Sequence, residues 1–385
     1  MMPLNWISDE LQKLEAAGLR RVPRDCEPLP DGRCRVDGIE CIHFASNDYL
    51  GLAGDPRVIA AAVRAAEQYG AGAQASAAVS GRTPIHVELE AELSQFEGTE
   101  SSILFPSGFA ANVGVIGSLV AEGDVVLCDR LNHASLIDGC RLSGARLRVY
   151  AHGDLNQLAG ELDKARDARR RLIVTDSLFS MDGDIAPLSQ LAELAEKTQS
   201  MLLVDEAHAT GVYGEHGTGL CEAISSFPGL VRSGTLSKAL GSQGGFLAGS
   251  SELCDWVRNT ARTQMFSTAL TPAACGAARE SLRLIRSDMS RSQHVRSLAM
   301  TLRQQLQGTS FRTLGALDSP IIPVIIGDPE QAVNASKALL AEGLFVPAIR
   351  PPTVPRGTSR LRISLSARHT SDQIDRLVEA IRRFV

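Results

Sequence analysis

The chain has 385 residues, 44% of them hydrophobic and 22% charged, and its 39 Lys and Arg against 44 Asp and Glu leave a formal charge of −5. At roughly 100–200 residues per domain, that length predicts two or three lobes with enough chain to bury a core without disulfide or metal staples, and the composition excludes disorder and collagen-like repetition. The slight acidity offers no basic face for nucleic-acid phosphates, and lysine is scarce, since only Lys13, Lys164, Lys197, Lys238 and Lys337 can supply an amine.

Residues 1–21 predict an amphipathic helix, because acidic residues appear within the first ten positions and no apolar signal-peptide core follows. The segment GIECIHF at 38–44 then reads as a strand. From 55 to 285, apolar bursts alternate with helical patterns. The bursts are SSILF (101–105), DVVLCD (124–129), RLRVYA (146–151), RLIVTDS (171–177), MLLVDEA (201–207), LVRSGT (230–235) and GGFLAGS (244–250). Between two of them Leu188, Leu191, Leu194 and Ala195 mark one helix face. The pattern predicts an α/β domain with a mostly parallel sheet covered on both sides, and a site in the loops beyond the strands' carboxyl ends. From 286 onward, helix, strand, helix, two strand-like stretches and a last helix (371–385) predict a smaller α+β lobe. The expected division is therefore 1–54 for the N-terminal helix and strand, 55–285 for the large domain and 286–385 for the small one.

Eight cysteines are dispersed without a C-x-x-C pair, several inside apolar runs. They predict reduced core residues of a soluble, cytoplasmic protein, and no apolar run approaches the roughly 20 residues of a membrane span. The eight histidines show neither H-E-x-x-H nor i, i+4 pairing, so no metal centre is expected. Two motifs mislead. Asp205-Glu206-Ala207-His208 spells a DEAH box, but no G-x-x-x-x-G-K-[ST] accompanies it. Gly70-Ala-Gly72 begins a G-x-G-x-x-A run, but a helical stretch precedes it where a dinucleotide fingerprint follows a strand.

Chemistry gathers at strand ends. Asp205 closes an apolar run, with His208 three residues on; Lys238 lies among small and hydroxyl residues in SGTLSKALG at 233–241. A lysine able to lose its proton forms a Schiff base with an aldehyde cofactor, which points to pyridoxal phosphate. A buried carboxylate such as Asp205 favours the protonated ring nitrogen that makes this cofactor an electron sink. Its phosphate wants a helix start, offered by PSGFAAN at 106–112, and hydroxyls, offered by Thr235 and Ser237. His133, in RLNHAS at 130–135, is placed to cover a ring face.

The blocks SNDYLGL (46–52), SGFAAN (107–112), NHAS (132–135), FSMDGD (179–184), VDEAHATG (204–211) and GTLSK (234–238) together resemble the α-oxoamine synthases. That resemblance implies a homodimeric pyridoxal-phosphate transferase of fold type I, the aspartate-aminotransferase-like fold, with a seven-stranded sheet and interface active sites. It implies Lys238 as the Schiff-base lysine, Asp205 as the ring-nitrogen partner, His208 near the phenolic oxygen and His133 on the ring and substrate. Gly108, Phe109, Ser180 and Thr235 match cofactor contacts, and Ser267 and Thr268 match a segment lent to the neighbouring subunit's phosphate. Arg362 matches the binder of the amino-acid carboxylate, with Arg360 two residues away; Arg21, beside Arg20, matches a substrate contact, as do Asn47 and Thr353. The run IRPPTVPRG at 349–357 followed by RLR at 360–362 resembles the branch that condenses L-alanine with a pimeloyl thioester, carried by acyl carrier protein or coenzyme A. One stretch departs from the family: AQASAA at 73–78 replaces a loop expected to be rich in glycine and serine.

Overall fold

The computed structural model describes residues 3–307 and 311–384; Met1, Met2, Gly308 and Val385, at the ends of predicted helices, lie outside them. The strands in chain order are β1 (Cys26–Pro28), β2 (Arg33–Val36), β3 (Ile39–His43), β4 (Ser101–Phe105), β5 (Val125–Asp129), β6 (Arg146–Tyr150), β7 (Arg171–Asp176), β8 (Met201–Asp205), β9 (Leu230–Thr235), β10 (Gly245–Gly249), β11 (Arg312–Thr313), β12 (Ile321–Gly327), β13 (Leu344–Phe345), β14 (Ala348–Ile349) and β15 (Ser359–Ser364). The chain divides into two units: one holds Met1–Asn47, Met181–Asp184 and His294–Val385, the other Asp48–Ser180 and Ile185–Gln293.

The second unit is built on a seven-stranded sheet in the order β4-β10-β9-β8-β7-β5-β6. All seven predicted bursts are its strands. β10 runs antiparallel to both of its neighbours, and the other pairings are parallel. Strand residues alternate between two apolar layers, as the two-residue period requires. Val126 and Cys128 pack with Ala111, Val115 and Leu136 on one side, and Val125 and Leu127 pack with Leu158, Leu191 and Ala195 on the other. Burial on both faces is why these strands read as unbroken apolar runs. On the helix Leu188–Lys197 the buried residues are Leu188, Leu191, Ala192 and Ala195, and the half-buried Leu194 packs against the same apolar layer, so the predicted face is the core face and Ala192 widens it.

The topology brings several loops to one sheet edge. Because β4 and β9 both run antiparallel to β10, they are parallel to each other, and the carboxyl ends of β4, β5, β7, β8 and β9 share that edge. Ser107, His133, Ser180, His208 and Lys238 all follow these ends.

In the first unit the helix Trp6–Ala16 stops before Gly18, which adopts φ 63, so Arg20 and Arg21 lie beyond it and not within the predicted helix. A four-stranded sheet, β1-β2-β3-β13, and a second, β11-β12-β15-β14, form the body of this unit. Among the described residues no helix is long and apolar enough to cross a membrane.

Candidate active site

Asp205 ends β8 and is buried. Its Oδ1 accepts from the Ala207 N–H at 2.8 Å, and its Oδ2 from Asn112 Nδ2 at 2.6 Å. Asn112 lies in the helix Gly108–Leu119, which follows β4 and starts where Ser107 Oγ accepts from the Ala110 N–H at 3.1 Å. The Asn112 amide also donates to Ser135 Oγ at 2.9 Å, and its oxygen accepts from Ser233 Oγ at 2.7 Å. A carboxylate with two donors retains lone pairs for a third.

His133 caps the helix Ala134–Leu142, and its Nδ1 accepts from the Ser135 N–H at 3.2 Å. An accepting Nδ1 puts the proton of the neutral ring on Nε2. The His133 backbone N–H donates to Asp176 Oδ2 at 2.7 Å. The ring lies at an exposed rim, edge-on to Phe109 with centroids 6.4 Å apart. Partial burial still lowers its pKa; Asp205 opposes this and Lys238 adds to it. Asp176 pairs in register with Asp205; burial pushes it well up, Asp205 adds to that, and the His133 N–H and Lys238 oppose it.

Lys238 is half-buried in the loop after β9. Thr235 ends that strand, and its Oγ1 donates to the Gly244 carbonyl at 2.8 Å, accepts from the Ser237 N–H at 3.2 Å and lies 2.8 Å from Ser237 Oγ. Gly108 sits against it: a Cβ there would come 3.1 Å from Thr235 Cβ and 3.3 Å from its Oγ1. His208 is buried, with Nδ1 2.6 Å from the Tyr49 hydroxyl. Ser180 is half-buried after β7. Ser267 and Thr268 line a small cavity with Phe105 and Pro106, the residues that lead into the helix start, and Thr268 bridges to Ser76 near the exposed Phe266, whose ring lies under the Arg262 guanidinium. The DEAH-like Glu206 has a structural task, since its carboxylate accepts from the N–H groups of Leu220 and Cys221 at 2.8 and 2.9 Å.

In the first unit, Arg360 and Arg362 occupy the same face of β15 and are both buried. Their partners differ. Arg360 is ion-paired to Asp182 at 2.6 Å and also donates to the carbonyls of Met181 and Thr358. Arg362 donates from both terminal nitrogens to Asn47 Oδ1 at 3.3 Å, and from Nη1 also to Ser364 Oγ at 2.7 Å. Two predicted substrate residues, Arg362 and Asn47, are thereby together. So are Arg21 and Thr353, whose side chains bond at 3.1 Å, whereas Arg20 turns to Glu15.

The family model for aminotransferase class I and II matches residues 39–381. An 8-amino-7-oxononanoate synthase of Anaeromyxobacter dehalogenans is 48% identical over 379 residues, covering 98% of this chain and 95% of the relative. The chain belongs to the class I and II aminotransferase family, among its α-oxoamine synthases. The serine palmitoyltransferase of Sphingomonas wittichii superposes with a TM-score of 0.93 at 32% identity, covering 99% of this chain and 97% of that one. A serine palmitoyltransferase solved with its pyridoxal-phosphate internal aldimine superposes equally well, at 0.93 and 32%, covering 99% and 96%. This enzyme is thus a pyridoxal-phosphate-dependent acyltransferase with the aspartate-aminotransferase-like fold expected from its motifs.

The second unit fits that cofactor. It offers a buried carboxylate with spare lone pairs at Asp205, an amine at Lys238, and a helix start pressed so closely on Thr235 that only glycine avoids crowding at position 108. Asn112, Ser135, Asp176 and Tyr49 were not assigned roles from sequence. Asn112 and Tyr49 stand in blocks that carry the resemblance, but nothing in their spacing distinguishes them from their neighbours.

Proposed function

We propose that the enzyme condenses L-alanine with a pimeloyl thioester, releasing CO2 and the carrier thiol and forming 8-amino-7-oxononanoate, the product for which its 48%-identical relative is named. The observation that carries the reading is the shared sheet edge, where Asp205 ends β8 and Lys238 follows the adjacent β9.

When bound, pyridoxal phosphate supplies an electron sink for negative charge at the amino acid's Cα. Lys238 would hold the cofactor covalently through its amine, and the same amine, when free, would take the proton from Cα and return one there. Asp205 holds the proton on the ring nitrogen, and Asn112 holds Asp205. Gly108, Phe109 and Thr235 bind the phosphate end, with Ser180 and His208 as further cofactor contacts. His133 would lie over the cofactor ring, and its Nε2–H would donate to the acyl oxygen as charge develops there. Arg362 binds the alanine carboxylate with its guanidinium fork. Asn47, Arg21 and Thr353 orient substrate, and the carrier is acyl carrier protein or coenzyme A.

The same reading makes the active form a cytoplasmic homodimer in which Ser267 and Thr268 serve the neighbouring subunit's phosphate. The exposed Phe266 and Thr268 support it.

A screen of alanine, glycine and serine against acyl thioesters of several lengths, read by product mass, tests the substrate assignment. Alanine with a pimeloyl donor is expected to give the highest kcat/KM. Faster turnover of glycine or serine contradicts the assignment and leaves the family intact.

A further inference from the structure

Three thiols and an imidazole that the proposed chemistry does not use converge on the sheet β1-β2-β3-β13 of the first unit. The strand register explains why. Cys34 of β2 lies directly opposite Cys41 of β3, and His43, two residues on, shares the face of Cys41. On the other flank Pro28 pairs with Cys34 and Cys26 with Val36, which carries Cys26 to that same face. On that face Cys26 Sγ lies 3.8 Å from His43 Nε2, and Cys34 Sγ lies 3.5 Å from Cys41 Sγ. The ligating atoms of Cys26, Cys34 and His43 are all within 4.8 Å of one another.

The separations among Cys26, Cys34 and His43 suit three corners of a small tetrahedron. With Zn–S near 2.3 Å and Zn–N near 2.0–2.1 Å, two thiolates on one zinc stand about 3.8 Å apart, and a thiolate and an imidazole about 3.5 Å. Ordinary core packing accounts for Cys34 and Cys41, buried against Val36 and Leu340. It does not account for the exposed Cys26 with an imidazole beside it. The spacing, Cys-x7-Cys-x6-Cys-x-His, lacks a C-x-x-C knuckle because the ligands come from three rungs of a ladder and not from a turn.

We propose that Cys26, Cys34, Cys41 and His43 form a structural site for a single thiophilic divalent cation of the zinc class, which fastens the short strand β1 to β2 and β3. Binding through Nε2 places the ring proton on Nδ1 and gives up the 3.3 Å bond that Nδ1 accepts from the Ala45 N–H. Cys26, Cys34 and His43 supply three corners; Cys41, whose Sγ is 3.5 Å from Cys34 Sγ but outside the group of three, completes the tetrahedron by turning toward the ion. The closed site then leaves no position for water or substrate, so the ion ties strands together and takes no part in the reaction. Nothing in this site depends on the substrate assigned above.

The test uses the holoenzyme, purified in a phosphine reductant from cells grown with zinc. Elemental analysis is expected to find one zinc per chain, which Cys26→Ser and His43→Gln each lose while keeping condensation activity. After chelation, cadmium titration is expected to produce the ultraviolet thiolate-to-metal absorbance of three sulfurs, reduced by a third in Cys26→Ser. A wild-type protein without stoichiometric zinc, and with no cadmium absorbance above that of Cys26→Ser, overturns the proposal. Zinc retained in both variants, or a Cys34–Cys41 disulfide found by peptide mapping, overturns it as well.

Discussion

Asn112 Nδ2 donates to Asp205 Oδ2 at 2.6 Å while Ser233 Oγ pins the other end of the same amide at 2.7 Å. Helix, strand end and neighbouring strand are thereby joined through one side chain, which fixes the orientation of the carboxylate. In Asn112→Ala the carboxylate keeps the Ala207 N–H but loses this brace. The expected cost is that of a hydrogen bond to a charged group, about 1.5–3 kcal/mol, or roughly 10–100-fold in kcat. Asn112→Asp, of nearly the same shape, sets a second carboxylate against Asp205 and is expected to be worse at neutral pH. Steady-state kinetics and pyridoxal-phosphate titration read both effects; wild-type kcat and cofactor affinity in Asn112→Ala would remove the brace from the account.

Gly108→Ala tests the phosphate end. The added Cβ meets Thr235 Cβ at 3.1 Å, and relieving such a contact costs about 1–3 kcal/mol. Because the crowding falls on the helix start and on Thr235, the loss should appear as a pyridoxal-phosphate Kd weakened by about 5–100-fold, measured by fluorescence titration.

Arg360 and Arg362 share a strand face, but their substitutions should separate. Arg360→Ala strands the Asp182 carboxylate and is expected to lower stability by about 3–5 kcal/mol, the scale for breaking a buried pair. Arg362→Lys keeps the charge but loses the planar fork. It should lower kcat/KM for alanine by roughly 10–100-fold, a loss of about 1.5–3 kcal/mol, leaving the KM for the thioester and the melting temperature near wild type. Calorimetry alongside kinetics distinguishes the two.

His369 carries an acid-sensitivity prediction for the first unit. It is buried, stacked on Phe44 at 4.5 Å, and its Nδ1 accepts from the Ser366 N–H at 3.0 Å. Burial lowers its pKa from 6.5 to about 3, with His43 and His294 adding to the shift. Between those values the unfolded chain holds a proton that the folded chain does not. Stability from this group is therefore complete above pH 6.5 and is lost as pH falls toward 3. Thermal melts from pH 7 to 4 should show a decline of a few kcal/mol, on the scale of about 1.4 kcal/mol per pKa unit, that His369→Gln flattens.

Much of this enzyme is legible in its sequence for a physical reason. Strands covered on both faces leave unbroken apolar runs, and the polar residue that ends each run marks the sheet edge where ligands bind, so Asp205, His133 and Lys238 stand out. Residues that act through another residue leave no such mark. Asn112 is one amide in the run GFAAN, and only the fold reveals that it reaches across to β8. Alternation cannot separate Arg360 from Arg362, which share a face; the distinction comes from Asp182, far away in the chain. All eight cysteines read as core from sequence, and seven are buried, Cys34 and Cys41 among them, but Cys26 is exposed on β1; its approach to His43 across the face of β2 is something that spacing along the chain does not display.

The most direct test supplies L-alanine labelled with carbon-13 at the carboxyl group together with a pimeloyl thioester, and follows the label by mass spectrometry. The account predicts unlabelled 8-amino-7-oxononanoate and labelled CO2 in equal amounts from the wild-type enzyme, and neither from Lys238→Ala. Label retained in the condensation product, or turnover undiminished in Lys238→Ala, would contradict it.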